Sequence, residues 1–190
     1  MRSAMKPVMK NVLLLAVGVL AISTSPSAQA PNDAVATALL GLPANVREGA
    51  TVVKWKPDQT YDIVQKGTNG LVCYDRSGFP LQQPFSIECT SMGNLPRVAQ
   101  NMKAEALGDK AKSEAMLKAA EENGTRVKPE FGSVWYHLAG PDKDHARGHM
   151  TIAVPGATAQ SLGLPEKRVQ NSIWIMNAGT TTAHLMVPGE

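Results

Sequence analysis

Beyond residue 30 the chain has no GxSxG nucleophile elbow, no HExxH and no S-x-x-K. Walker loops and GxGxxG turns are also absent. The familiar hydrolase and nucleotide signatures are therefore missing, although a triad assembled from distant residues would leave no local motif. No basic run is present, so the electrostatic footprint of a nucleic-acid or anionic-lipid partner is lacking. Cysteine is scarce, with only Cys73 and Cys89. Long apolar runs are scarce too. The stretch Val12 to Ile22, VLLLAVGVLAI, would make a helix of about 17 Å, too short for a bilayer core of about 30 Å.

That short apolar run has a different meaning in its context. Arg2, Lys6 and Lys10 precede it without any acidic residue, and Ala28-Gln29-Ala30 follows it in the small-x-small pattern of a cleavage site. These features predict a signal peptide over residues 1–30, with Pro31 as the first mature residue and signal peptidase as a transient partner. The expected location is periplasmic or secreted, with no stable membrane insertion after cleavage. No cysteine lies near the cleavage point to carry a lipid. Three of the 19 basic residues leave with the leader, so the mature balance is 16 basic against 16 acidic. The remaining residues, 31–190, suffice for one domain with a core.

An exported chain with an even cysteine count predicts a Cys73–Cys89 disulfide. The closed loop, residues 74–88, contains Gly78, Pro80 and Pro84, and a loop of this length stabilises by about 3 kcal/mol in the chain-entropy model. The redox and metal alternatives favour CxxC spacing, which is absent.

The pattern of elements predicts an α+β fold. Asn32 and Asp33 are capping candidates for a helix over Ala34 to Leu40. Thr51 to Trp55 and Tyr61 to Lys66 form a hairpin around Lys56-Pro57-Asp58-Gln59-Thr60, and Leu71 to Tyr74 adds a third strand, giving an antiparallel meander. Cys89 leads into a helical region where Leu95, Val98, Met102 and Ala106 make an apolar stripe. A second central helix covers residues 110–122, capped by Asp109, with a Glu114–Lys118 pair. Ser133 to Leu138, His149 to Val154, Ser172 to Met176 and Ala183 to Val187 read as C-terminal strands, with a short helix from Thr158 to Leu162 between the middle two.

All four histidines lie in the C-terminal half: His137, His145, His149 and His184. His145 and His149 form HARGH, which on a helix places two imidazoles on one face, with Asp142 and Asp144 close in sequence. The surrounding composition is that of a loop, which favours a polar surface turn. A second set uses sulfur. His184 and Met186 share a strand face, whereas His149 and Met150 point to opposite faces unless a bulge intervenes. Imidazole and thioether together suit Cu(I). In this respect HM … HxM, with Met176 between, resembles the ligand order of periplasmic copper chaperones that bind through His and Met.

A wider set of motifs spans roughly residues 45–188. Gly67-Thr68-Asn69-Gly70-x-x-Cys73 is followed by Cys89, then His149-Met150-x-Ile152, then Gly179-Thr180-x-x-Ala183-His184-Leu185-Met186-x-Pro188. This series resembles a group of exported bacterial proteins of unknown function. The resemblance implies a secreted single domain with a disulfide or thiol pair, and supplies no activity. The leading expectation is a non-enzymatic exported protein that binds a small ligand or partner through its C-terminal strands and loops. The first alternative is a copper-binding protein using His149 and His184 with Met150, Met186 or His145. The second is an enzyme with a dispersed His/Asp site. Scattered histidines would fit a simple binding module, and three converging donors a metal site. A histidine beside a carboxylate in a concave pocket would fit an enzyme. His149 and His184 are expected to line one site in any of the site-based versions.

Overall fold

The computed structural model describes residues 31–187. The predicted leader, with its Ala28-Gln29-Ala30 pattern, lies outside the described residues, as does Pro188. The first described element is helix α1 (Pro31–Ala38), which already includes positions 32 and 33, so the helix starts earlier than the expected Ala34. A 3-10 turn, Leu39–Gly41, continues it. Four strands follow: β1 (Thr51–Trp55), β2 (Tyr61–Gln65), β3 (Leu71–Asp75) and β4 (Phe85–Ser91). Helices α2 (Leu95–Glu105) and α3 (Lys110–Glu122) come next. The rest comprises β5 (Val134–Gly140), β6 (Arg147–Ala153), α4 (Ala159–Leu162), β7 (Trp174–Met176) and β8 (His184–Val187). The fold is α+β, with one eight-stranded sheet in the order β2-β1-β3-β4-β5-β6-β8-β7.

Every neighbouring pair in the sheet is antiparallel except β1 and β3, which run parallel. The N-terminal meander expected from sequence is therefore not formed. β1 and β2 do make the hairpin, with Trp55 opposite Tyr61. The chain then crosses the start of β1 and emerges on its other side. Gly67 makes that crossing possible, because a Cβ there would lie 2.3 Å from the Ala50 carbonyl carbon and the Gly49 oxygen. The backbone N–H groups of Thr68 and Asn69 both donate to the Gly49 carbonyl, at 2.7 and 3.0 Å. The Asn69 amide donates to the Val46 carbonyl at 2.8 Å, and its oxygen accepts the Leu71 N–H at 3.0 Å. The GTNG motif is thus the clasp of a parallel crossover.

β4 is an element the sequence reading did not include; Cys89 lies within it and does not open a helical region. Cys73 and Cys89 face each other directly across β3 and β4, with Cα atoms 4.1 Å apart, and form the disulfide. The central helices match their expected places. The Asp109 side chain accepts the Lys112 N–H at 3.0 Å and caps α3. On α2, Leu95, Val98 and Met102 are buried as expected, while Ala104 is buried in place of Ala106. The exposed i,i+4 ion pairs on α3 are Lys110–Glu114 and Lys118–Glu122, not Glu114–Lys118.

The sheet carries a different layer on each face. On one side α1 and the 3-10 turn cover Val52, Cys73, Ile87 and Cys89, with Tyr136 and Leu138 at the margin. On the other, α2 lays Leu95, Val98 and Met102 over Val53, Val72, Tyr74 and Trp135. A third apolar group, Val154, Ile175 and Ala183, closes the β7–β8 end. α2 covers only part of its face, and the polar remainder forms a cavity.

Candidate functional site

Strand alternation builds this cavity. Along β4, Phe85, Ile87 and Cys89 face α1, while Ser86, Glu88 and Thr90 face α2, as the core groupings and register require. Glu88 is paired in register with His137 of β5, and His137 with His149 of β6. One row across three strands therefore holds a carboxylate and two imidazoles. The two rings stack at 4.6 Å between centroids, only 9° from parallel. Two and four residues further along β6, Thr151 and Ala153 pair with Met186 and His184 of β8, which brings those side chains to the same face. The resulting cavity has a volume of about 390 Å³. α2 contributes Arg97, Asn101 and Glu105 to its wall, and Arg126, beyond α3, completes that side.

The sequence-derived candidates divide accordingly. His149, His184 and Met186 line the cavity together. Met150 does not: it pairs with Tyr136 and Val187, one residue out of phase with His149, on the opposite face. The four-donor His149/His184/Met150/Met186 set is therefore not assembled. His145 is also separate. It sits in an exposed turn, its Nδ1 2.8 Å from Asp142, and the segment before β6 is not helical, so HARGH places no pair of imidazoles on one helix face. Among the described residues, no group of three or more His, Cys, Asp and Glu is placed to hold a metal ion.

Glu88 is the electrostatic centre of one wall. Arg76 donates to it at 3.0 Å, the buried Tyr74 hydroxyl donates at 3.1 Å, and His137 Nδ1 stands 3.6 Å away. Burial alone would raise this carboxyl. Arg76, then His137 and the Tyr74 hydroxyl, outweigh it and lower the Glu88 pKa to about 2. Arg76 also contacts Glu105, which accepts from Gln82 at 2.8 Å. Glu105 is nonetheless raised, since its burial exceeds the pull of the same guanidinium.

The opposite wall is built differently. Arg97 and Arg126 are 4% and 7% exposed, yet neither forms an ion pair with a carboxylate among the described residues. Arg97 donates to the Val127 carbonyl and, at 2.9 Å, to the Thr182 hydroxyl. Arg126 donates to the side-chain oxygens of Gln100 and Asn101. Burial, and then the charge of Arg126, bring Arg97 down to about 10, with Glu121 opposing.

The histidines feel the same surroundings. His149 lies below the usual imidazole value because it is buried and has His137 stacked on it, with Glu88 pulling the other way. His184 is lowered chiefly by burial, while its Nδ1 bond to the Thr182 carbonyl, 2.8 Å, opposes the shift. That bond fixes the proton on Nδ1 and leaves Nε2 free.

Several residues of this cavity escaped the sequence reading: Glu88, Arg76, Arg97, Arg126 and the placement of His137. A period-2 signal did exist for His137, through Trp135 in SVWYHL, and for Glu88, through FSIECTS. Nothing in the sequence links the three arginines, which come from a β3–β4 loop, a helix and a coil. No family model, curated protein or solved structure matches the chain.

Proposed function

We propose that this is an exported, non-enzymatic protein that binds a small polar ligand in the cavity between the C-terminal strands and α2. The observation that carries the reading is a cavity of about 390 Å³ into which the sheet delivers three of the four histidines. Its size lies within the range of small-molecule sites, and it combines clustered polar groups with an apolar floor of Trp135, Met176 and Met186. Three of the four histidines converge on this cavity, which departs from the scattered arrangement expected of a simple binding module, so the binding reading is supported by the polar cavity itself. The Cys73–Cys89 bond and the N-terminal sequence support an oxidising, extracytoplasmic location. Among the described residues no helix is long and apolar enough to cross a membrane.

The test is a thermal-shift screen of the disulfide-bonded protein against a library of neutral, cationic and anionic small molecules. Hits that stabilise the protein but not Met186→Trp, which narrows the cavity, support the reading. A library without any such hit removes it. One observation favours an acid–base role as a second reading: His137 Nδ1 stands 3.6 Å from Glu88 inside a concave site. If a hit is turned over, His137→Gln should abolish turnover and spare binding.

A further inference from the structure

We infer that the cavity takes a small organic oxyanion with two or more acidic oxygens, held by Arg97 and Arg126 and completed by His149 and His184. The inference rests on the binding reading above and names the ligand class for that site.

What carries it is buried charge left without a direct ion-pair partner. A buried cation is costly unless it is paired, and native proteins almost always pair it. Arg76 follows that rule with Glu88 and Glu105. Arg97 and Arg126 are buried to the same degree and have only neutral acceptors. Glu121 is the acid whose charge acts on both, but it makes no ion pair with either, and its oxygens accept from the Thr181 N–H at 2.7 Å and from the Thr181 hydroxyl. Two like charges therefore line one wall of a polar cavity, where a guanidinium fork suits a carboxylate or phosphate. Arg76 Nε is a further buried donor that lacks an acceptor among the described residues. Glu88 and Glu105, the carboxylates of the cavity wall, are both engaged by Arg76. Trp135 and the two methionines offer the organic part of the ligand an apolar surface.

His184 adds a conditional contact. With Nδ1 spent on Thr182, Nε2 can donate to an anion only after the ring gains a proton. The groups facing His184 are His137 of β5 and Arg97 of α2; those facing His149 are His137, Glu88 of β4 and His184. The neighbouring cation and imidazoles disfavour protonation in the free protein, and an anion between them reverses that balance. Binding should therefore take up a proton and tighten below neutral pH.

Calorimetry on the disulfide-bonded protein tests this with inorganic phosphate, glycerol 2-phosphate and succinate against glucose as a neutral probe. The expected result is binding of a phosphate ester or of succinate. Affinity should fall about tenfold or more in Arg126→Gln and in the more conservative Arg97→Lys, both checked for folding by near-UV circular dichroism. Repeating the titration in buffers of different ionisation enthalpy should show proton uptake that His184→Gln reduces. The two anion arms separate a phosphate ester from a dicarboxylate. Anion binding that survives both arginine variants would overturn the inference. Glucose binding that Met186→Trp abolishes, with no anion bound, would also overturn it and leave the binding reading standing. If every probe fails and the broader screen has no hit, both fall.

Discussion

The two faces of β4 and β5 are made from the same few residues and solve opposite problems. Ile87, Cys89, Tyr136 and Leu138 face α1 and are sealed by apolar contact and a covalent bond. Glu88 and His137, interleaved with them, face a cavity whose wall carries three arginines, two carboxylates and three histidines beside a few apolar side chains. One face needs only area removed from water. The other needs partners of the right sign in the right place, because each buried charge is stable only through another group. The apolar face should therefore tolerate change gradually, while the polar face should fail as a unit.

Glu88→Gln should break that contrast most strongly. It keeps the shape but leaves the buried Arg76 with Glu105 alone, and should cost about 3 kcal/mol, measured by urea unfolding. Removing the disulfide by a Cys73→Ala/Cys89→Ala double substitution should cost about as much, up to about 3 kcal/mol. Its character should differ, since the loss resides largely in the unfolded chain and the native near-UV spectrum should persist. If that spectrum collapses instead, the two faces are not independent.

Acid should sharpen the contrast in two steps. His149 and His184 have folded-state pKa values below the ordinary imidazole value, so the unfolded chain binds protons first and stability drops as pH falls from about 6.5. Glu88 is lowered to about 2, so its contribution is whole above about 4.5 and disappears as pH falls towards 2. Melting temperature against pH should show both limbs. A His149→Gln/His184→Gln protein should lose the first, and Glu88→Gln the second. The smallest effect belongs to His145→Ala, which touches neither face: melting temperature and ligand affinity should stay unchanged.

The sequence exposed some of this architecture because certain signals are local. The α3 boundaries follow from Asp109, Gly124 and the helix-forming run between them, and the β1–β2 turn follows from Pro57 and Asp58. Strand β4 was hidden because its polar residues are buried: Ser86, Glu88 and Thr90 look like a solvated face until the sheet supplies their partners. Arg97 was hidden in the same way, a charged residue on an amphipathic helix that turns inward. The parallel crossover depends on Gly67 touching Gly49, a contact between segments 18 positions apart. For the candidate site, the period-2 rule correctly separated Met150 from His149 and joined His184 to Met186. It could not indicate that Arg126, remote in sequence, would stand across from them.

The position of the Cys73–Cys89 bond bears on the charged wall. Cys89 directly follows Glu88 in the chain, and Cys73 precedes Tyr74, the donor to that carboxylate. The covalent rivet thus sits on the reverse side of the residues that anchor the charged wall. In a reducing compartment the chain would lack this brace. Where thiols are oxidised, a covalent bond reinforces the register that the β3–β4 ladder already sets, beside Tyr74 and Glu88. Oxidation therefore braces the charged wall from behind, and the reduced chain presents the same wall without that brace.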